Sequence, residues 1–280
     1  MKKVHLVSFG DKRLWITKLI FLYQAHRFKV FDTIKIYNES TLPVLFKRKF
    51  SKVLNSNTKG FGFWLWKPET ILDRLSKIKD GEILLYLDLG SVINHKGKKT
   101  FLDYLQKLNT SKNDIIGVRT VTDHTIESFY NSEDTFTLFK IPPNSKIRFS
   151  GQYEAGFILI KKSKLSFEIV KRWRDLTQKN LEILKGENFI KKNHQGFIDH
   201  RYDQSFLSLL FKTENINTIP GFYFYKNPTL PLKEKEKEHL LENFIHISDE
   251  EKPFLFLRRK ILNPSYYVKK IIKQICLKLL

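Results

Sequence analysis

Five apolar residues in a row, Ile83 to Leu87, end in Asp88 and are followed by Leu89-Gly90. A run this short, with no polar alternation, predicts a strand buried on both faces, and such strands belong to parallel sheets covered by helices on each side. An acid at the C-terminal end of that strand has few structural uses. In open α/β sheets that end is where ligands bind. Asp88 is therefore the first functional candidate, with the capping of the next loop as its plain alternative.

The remaining chain fits the same sheet. Strand patterns at Val4–Phe9, Thr33–Tyr37, Ile83–Asp88, Ile115–Arg119 and Phe157–Ile160 alternate with helical ones at 15–28, 68–78, 100–108, 166–184 and 202–211. Alternation of this kind predicts an α/β fold with a mainly parallel, Rossmann-like sheet between two helical layers. Polar or Gly-containing stretches at 55–62, 123–150 and 185–201 read as loops, the second long enough to be a substrate-facing flap. The charged run 233–239 reads as a solvated face.

The chain of 280 residues divides in this reading into a catalytic domain, 1–256, and a tail, 257–280. From Leu257 onward there are seven Lys or Arg and no acid, while Val268, Ile271, Ile272, Ile275 and Leu279 recur at helical spacing. That pattern predicts a basic amphipathic C-terminal helix, suited to an anionic membrane interface. Docking of the same helix on the core is the alternative. The formal charge of +21 favours polyanionic partners in general. Nucleic acid is one such partner, but the aromatic residues lie inside apolar runs, and no nucleic-acid module is recognisable. No nucleic-acid partner is therefore expected. Cys276 is the single cysteine, so no intrachain disulfide can form. The short apolar N-terminus is cut by Asp11-Lys12-Arg13, and no apolar run reaches membrane-spanning length. The expected location is the cytoplasm, peripheral to the inner face of the plasma membrane.

Four constellations carry chemistry. The first is Asp88-Leu89-Gly90, where a carboxylate suits a hard divalent cation or the groups around a phosphate. The second is Gly60-Phe61-Gly62-Phe63-Trp64-Leu65-Trp66-Lys67-Pro68, in which Lys67 beside a helix start could meet a phosphate. The tryptophans there read equally as core. The third, Gly151-Gln152-Tyr153-Glu154-Ala155-Gly156, puts polar groups and small residues before a buried strand. The fourth, His200-Arg201-Tyr202-Asp203-Gln204, packs polar residues at a helix start, where Asp203 also reads as a cap or dipole partner. His246, in a late apolar run, is a weaker metal-ligand candidate.

The order Trp-Lys-Pro, Tyr-Leu-Asp-x-Gly, Glu-Ala-Gly-Phe-x-Leu-Ile and Asp-Gln-Ser resembles bacterial GT-A glycosyltransferases that build capsule, lipopolysaccharide and other surface polysaccharide. The resemblance covers roughly residues 4 to 250 and implies a GT-A-like fold. It implies a nucleotide-sugar donor, usually UDP-linked, with Mn²⁺ or Mg²⁺ on its diphosphate and a glycan or lipid-linked acceptor. It places Ser8, Phe9, Gly10, Trp66, Lys67, Asp88 and Gly90 at the donor, and Asp88 and His246 at the metal. Asp203, Glu154 and Gln204 become the catalytic group, with Gln152, His200 and Arg201 toward the acceptor. Gly90 stands where such enzymes carry a second metal-binding Asp, and Glu154 where they carry Asn. A nucleotide-sugar hydrolase on a similar sheet is the competing enzyme reading.

Overall fold

A computed structural model describes residues 2–120, 125–220 and 255–257. In chain order the elements are β1 (Val4–Phe9), α1 (Trp15–Phe28), β2 (Thr33–Tyr37), α2 (Val44–Lys49), the irregular turn α3 (Gly60–Phe63), α4 (Trp66–Leu75), β3 (Ile83–Leu87), β4 (Ser91–Ile93) and α5 (Lys98–Asn109). There follow β5 (Ile115–Arg119), α6 (Glu127–Tyr130), α7 (Glu133–Leu138), β6 (Tyr153–Lys161), α8 (Lys164–Lys179), α9 (Leu181–Lys185), α10 (Tyr202–Thr213), β7 (Asn217–Pro220) and β8 (Leu255–Leu257).

Six strands form the main sheet in the order β2-β1-β3-β6-β5-β7. β2, β1 and β3 run parallel, as do β5 and β7, and β6 is antiparallel to both of its neighbours. The expected mainly parallel α/β sheet is thus present, with one reversed strand in its middle. Every residue of β3 is buried. Two apolar layers account for that. On one face, Ile71, Trp173 and Phe206 from α4, α8 and α10 pack with Leu84 and Tyr86. On the other, Phe21 from α1 and Phe101 from α5 pack with Leu85 and Leu87.

Several boundaries move. The helix expected from Pro68 starts at Trp66, because Lys67 N already donates to Trp64 O at 2.9 Å. The last sheet strand before α8 runs from Tyr153, four residues earlier than Phe157. The helix expected at 166–184 divides at Asn180 into α8 and α9. The expected flap at 123–150 is largely packed structure. Its described part, from 125 on, holds α6 and α7, with Glu127 and Ser128 fully buried and Phe136 in a small core of its own. Apolar residues there are too sparse to show a period, which is why the stretch reads as loop. β4 pairs antiparallel with β8 in a second, two-stranded sheet. The tail beyond Leu257 and His246 lie outside the described residues.

Candidate functional site

β1 lies between β2 and β3, so the chain goes one way from β1 to β2 and then crosses to the other side for β3. A crevice opens at the carboxyl ends of strands at such a switch. β6 runs the other way, so its first residues lie beside the last of β3: Asp88 N donates to Gly156 O at 2.9 Å. The β5–β6 register slips here. Ile116 faces Leu159, but Val118 faces Glu154. This irregularity turns Ala155 and Gly156 toward the crevice, a use of bulges common at functional sites. A side chain at Gly156 would meet the Asp88 carboxylate at 3.1 Å, so glycine lets that carboxylate lie against the backbone.

The crevice is a pocket of about 290 Å³ lined by Lys59, Trp64, Lys67, Asp88, Ala155, Gly156, Asp199, Arg201, Tyr202, Asp203 and Gln204. Its floor is Lys67, only 2% exposed. The Lys67 ammonium lies 2.7 Å from Asp203 Oδ2 and 3.3 Å from Asp88 Oδ1. It also donates to Ala155 O at 3.1 Å. One ammonium therefore ties α4, the end of β3, the start of β6 and the first turn of α10 together.

Charge in this cluster follows burial. Burial pushes the Lys67 ammonium down, but Asp203 and Asp88 outweigh it and hold it above the ordinary lysine value. Burial raises Asp203 to about 6 against the opposing pull of Lys67. Lys67 is shared between two acids, so Asp203 has only part of that cation, with the Gln204 backbone N–H, to offset the loss of water. Asp88 is different, because 40% of its side chain is exposed. The Tyr86 hydroxyl donates to Asp88 Oδ1 at 2.6 Å. Burial, reinforced by Asp88, holds that hydroxyl well above its ordinary value, so it remains a donor. Asp88 is thus an oriented carboxylate with a face open to the pocket.

The pocket mouth is aromatic and cationic. Trp64 and Tyr202 have ring centroids 5.4 Å apart, and Lys59 donates to the Tyr202 hydroxyl at 2.9 Å. Both Trp64 (φ 57°) and Tyr202 (φ 50°) are held in the left-handed region. Side chains rarely adopt that conformation unless the surroundings over-determine it, and such strain gathers at ligand sites. The Arg201 guanidinium stacks on the Tyr130 ring at 3.6 Å. Gln204 Nε2 donates to Gln152 Oε1 at 2.9 Å, which connects the third and fourth sequence constellations.

Other anticipated residues are placed elsewhere. Phe9 stacks on Trp66 with centroids 4.0 Å apart, and both belong to the apolar core. Ser8 is fully buried. Gly10 packs against Leu89, where a side chain would approach to 2.3 Å. Gln152 is buried behind the pocket. Glu154 lies opposite Val118 and is not among the lining residues. His200 is 1% exposed, and burial lowers it to about 3, so it is a neutral packing residue under Tyr202 and Phe206. Gly90 is exposed with open space where a side chain would go. Lys59, Asp199 and Tyr202 line the pocket without having been singled out. Tyr202 lay inside a quoted constellation, but Lys59 and Asp199 carry no signal beyond polarity in a loop.

Among the described residues no group of three or more His, Cys, Asp or Glu is arranged to hold a metal. The two innermost carboxylates already share the Lys67 ammonium. The described donor set therefore does not fit a divalent cation.

No protein-family model matches the chain, and no curated protein matches it. Solved structures to which the chain is similar include the apo glycosyltransferase GlyE of Streptococcus pneumoniae TIGR4, at 16% identity and a TM-score of 0.47. That match covers 93% of this chain and 55% of the other, so the chain spans about half of that protein's length. The galactosyltransferase LgtC, solved with donor and acceptor sugar analogues, matches at 11% identity and a TM-score of 0.47, covering 93% of this chain and 88% of LgtC. Mouse xyloside xylosyltransferase 1 matches at 12% identity and a TM-score of 0.46, covering 91% and 95%.

Proposed function

We propose that this chain is a GT-A-type glycosyltransferase that moves a sugar from a nucleotide-sugar donor, most simply a UDP-sugar, to a surface-glycan or lipid-linked acceptor. One observation carries the reading. The four motifs that resemble such enzymes are spread over more than 130 residues, yet Lys67, Asp88, Ala155 and Asp203 meet at a single buried ammonium.

In the reaction the bond from the anomeric carbon to the donor diphosphate breaks and one to an acceptor oxygen forms. The departing diphosphate gains negative charge, and cations fixed before the reaction lower the barrier. Lys59 and Arg201 line the pocket and serve that purpose, with the Trp64 and Tyr202 rings as an apolar platform for a base or sugar. The acceptor hydroxyl gives up its proton to a carboxylate. Asp88 is the open carboxylate at the pocket floor and Tyr86 aims it, so Asp88 takes this role or faces the sugar ring. Asp203, deeper and paired, is a positioning residue that holds Lys67.

The test is release of nucleotide from a panel of nucleotide sugars, with and without acceptor. Asp88→Asn should lower turnover by about 100-fold or more while leaving the melting temperature close to that of the wild type. Full activity in that variant overturns the site, and nucleotide release unaffected by acceptor points to a hydrolase.

A further inference from the structure

A second cavity, of about 500 Å³, lies at the opposite end of α10 from the crevice. The crevice takes the first turn of α10, and this cavity takes Lys212 from its last turn. The sheet explains what else reaches it. β5 lies between β6 and β7, and Arg119 at the end of β5 sits opposite Tyr153 at the start of β6. Residues two apart on a strand share a face. A side chain at Gly117 would meet the Phe211 ring of α10 at 3.0 Å, so Arg119 projects on the face that α10 covers. Asn217 and Thr218 of β7 form the outer wall, and Lys146 closes the rim from the short turn Lys146–Phe149.

Three cations line this cavity and no acid does: Arg119, Lys146 and Lys212. Lys212 is neutralised from behind by the fully buried Glu127, and Ser150 Oγ and Gly151 O take its remaining protons. Arg119 and Lys146 are exposed, and among the described residues neither has an acid partner. The next acid along the chain, Glu214, is taken by Arg172. The Arg119 charge is felt inside the cavity. Burial pushes the Lys212 ammonium down, Glu127 opposes that, and Arg119 adds to the fall. Like charges are thus held together with one counter-ion too few, and a cleft lined by one sign of charge concentrates ions of the other.

We propose that this cavity binds a small acidic sugar, a sugar phosphate or a sugar acid, through Arg119 and Lys146. A guanidinium fork matches two oxygens of a phosphate or a carboxylate. The volume is that of a small-molecule pocket and exceeds what a bare ion fills. The neutral side chains of Asn215 and Asn217 offer both donors and acceptors to hydroxyl groups, and Ile147 and the Tyr153 ring supply apolar surface for a sugar ring. The proposal rests on this cavity alone and not on the reading of the crevice, and its readout is binding, so it stands or fails apart from sugar transfer.

The experiment is calorimetric titration of the full chain with glucose 1-phosphate, glucuronate, inorganic phosphate and glucose. One or both of the acidic sugars should bind, more weakly as salt is added, and glucose should not. Tighter binding of glucose 1-phosphate assigns a phosphate ester, and tighter binding of glucuronate a carboxylate. Arg119→Gln/Lys146→Gln should weaken that binding about tenfold or more with an unchanged far-UV circular dichroism spectrum. Both side chains are exposed, so this variant should fold. Lys59→Gln/Arg201→Gln, which removes cations from the crevice, should keep the binding. Phenylglyoxal modification of Arg119, followed by peptide mass spectrometry, should slow when the acidic sugar is present. The proposal is overturned if neither acidic sugar binds, if glucose or inorganic phosphate binds as tightly, or if Arg119 is not protected. Binding that survives Arg119→Gln/Lys146→Gln but is lost in Lys59→Gln/Arg201→Gln would place the ligand in the crevice and overturn it too.

Discussion

Two buried lysines flank the start of β6, and their fates differ. Lys67 reaches Asp88, Asp203 and the Ala155 carbonyl. Lys212 reaches Glu127 at 2.6 Å, Ser150 Oγ at 2.7 Å and the Gly151 carbonyl at 2.8 Å. Each ammonium thus has three partners, and each ties a helix to the same stretch of chain. The difference lies in the acids. Glu127 is wholly buried, and Ser208 and Asn131 donate to its two oxygens. Asp88 shows 40% of its side chain to a pocket. A buried ion pair whose carboxylate oxygens are both hydrogen-bonded inside the protein is scaffold, whereas the same pair with one open carboxylate can meet a substrate. Burial also pushes the Lys212 ammonium below its ordinary value despite Glu127, while Lys67, between two acids, is held above its own.

Replacing each lysine should separate the two clusters most sharply. Lys212→Met leaves Glu127 buried without its cation, a loss of about 3–5 kcal/mol, measured by denaturant unfolding. Lys67→Met likewise leaves Asp203 buried without its cation and should cost stability on a similar scale, but unlike Lys212→Met it should also abolish measurable transfer. If Lys212→Met instead stays stable and loses transfer as Lys67→Met does, the distinction between scaffold and site collapses.

A second contrast is in pH. Asp203 titrates near 6 in the folded protein and near 3.8 unfolded. A group raised in this way contributes stability that is fully present below about pH 4 and lost as pH rises through about 6. The stability of the wild type relative to Asp203→Asn should therefore fall across that window and level off above it. Transfer by the wild type should rise over the same range as Asp203 loses its proton, and Asp203→Asn should lack that limb.

Smallest is the effect of Ser208→Ala. Ser208 Oγ accepts from Tyr153 N at 2.7 Å and donates to Glu127. Its loss should cost about 1–3 kcal/mol and leave turnover per folded molecule unchanged. A fall in turnover would mean that the Glu127 cluster communicates with the pocket.

Much of this architecture is legible in the chain. The ends of β1, α1, β2 and β5 coincide with their sequence patterns, because short β-branched or alternating runs, a longer apolar-rich run and the polar breaks between them are local signals. So is the acid after β3, since Asp88 interrupts an otherwise apolar run. Elements with weak periods, such as α6, α7 and β4, are not legible, since tertiary burial and not their own pattern makes them ordered. Neighbouring polar residues at a helix start, such as His200 and Asp203, look equivalent in one dimension. Yet His200 packs beneath aromatic rings, and Asp203 finds Lys67. Likewise Trp66 and Trp64, two residues apart, go to the core and to the pocket, because the left-handed turn at Trp64 swings its ring outward. The strand–helix alternation, and with it the sheet and the edge where a ligand site belongs, follows from local periodicity. Which polar side chains converge on that edge, and which of their carboxylates stays open, depends on contacts between segments more than a hundred residues apart. Only the assembled sheet, with β6 reversed and slipped against β5, brings those segments to one ammonium.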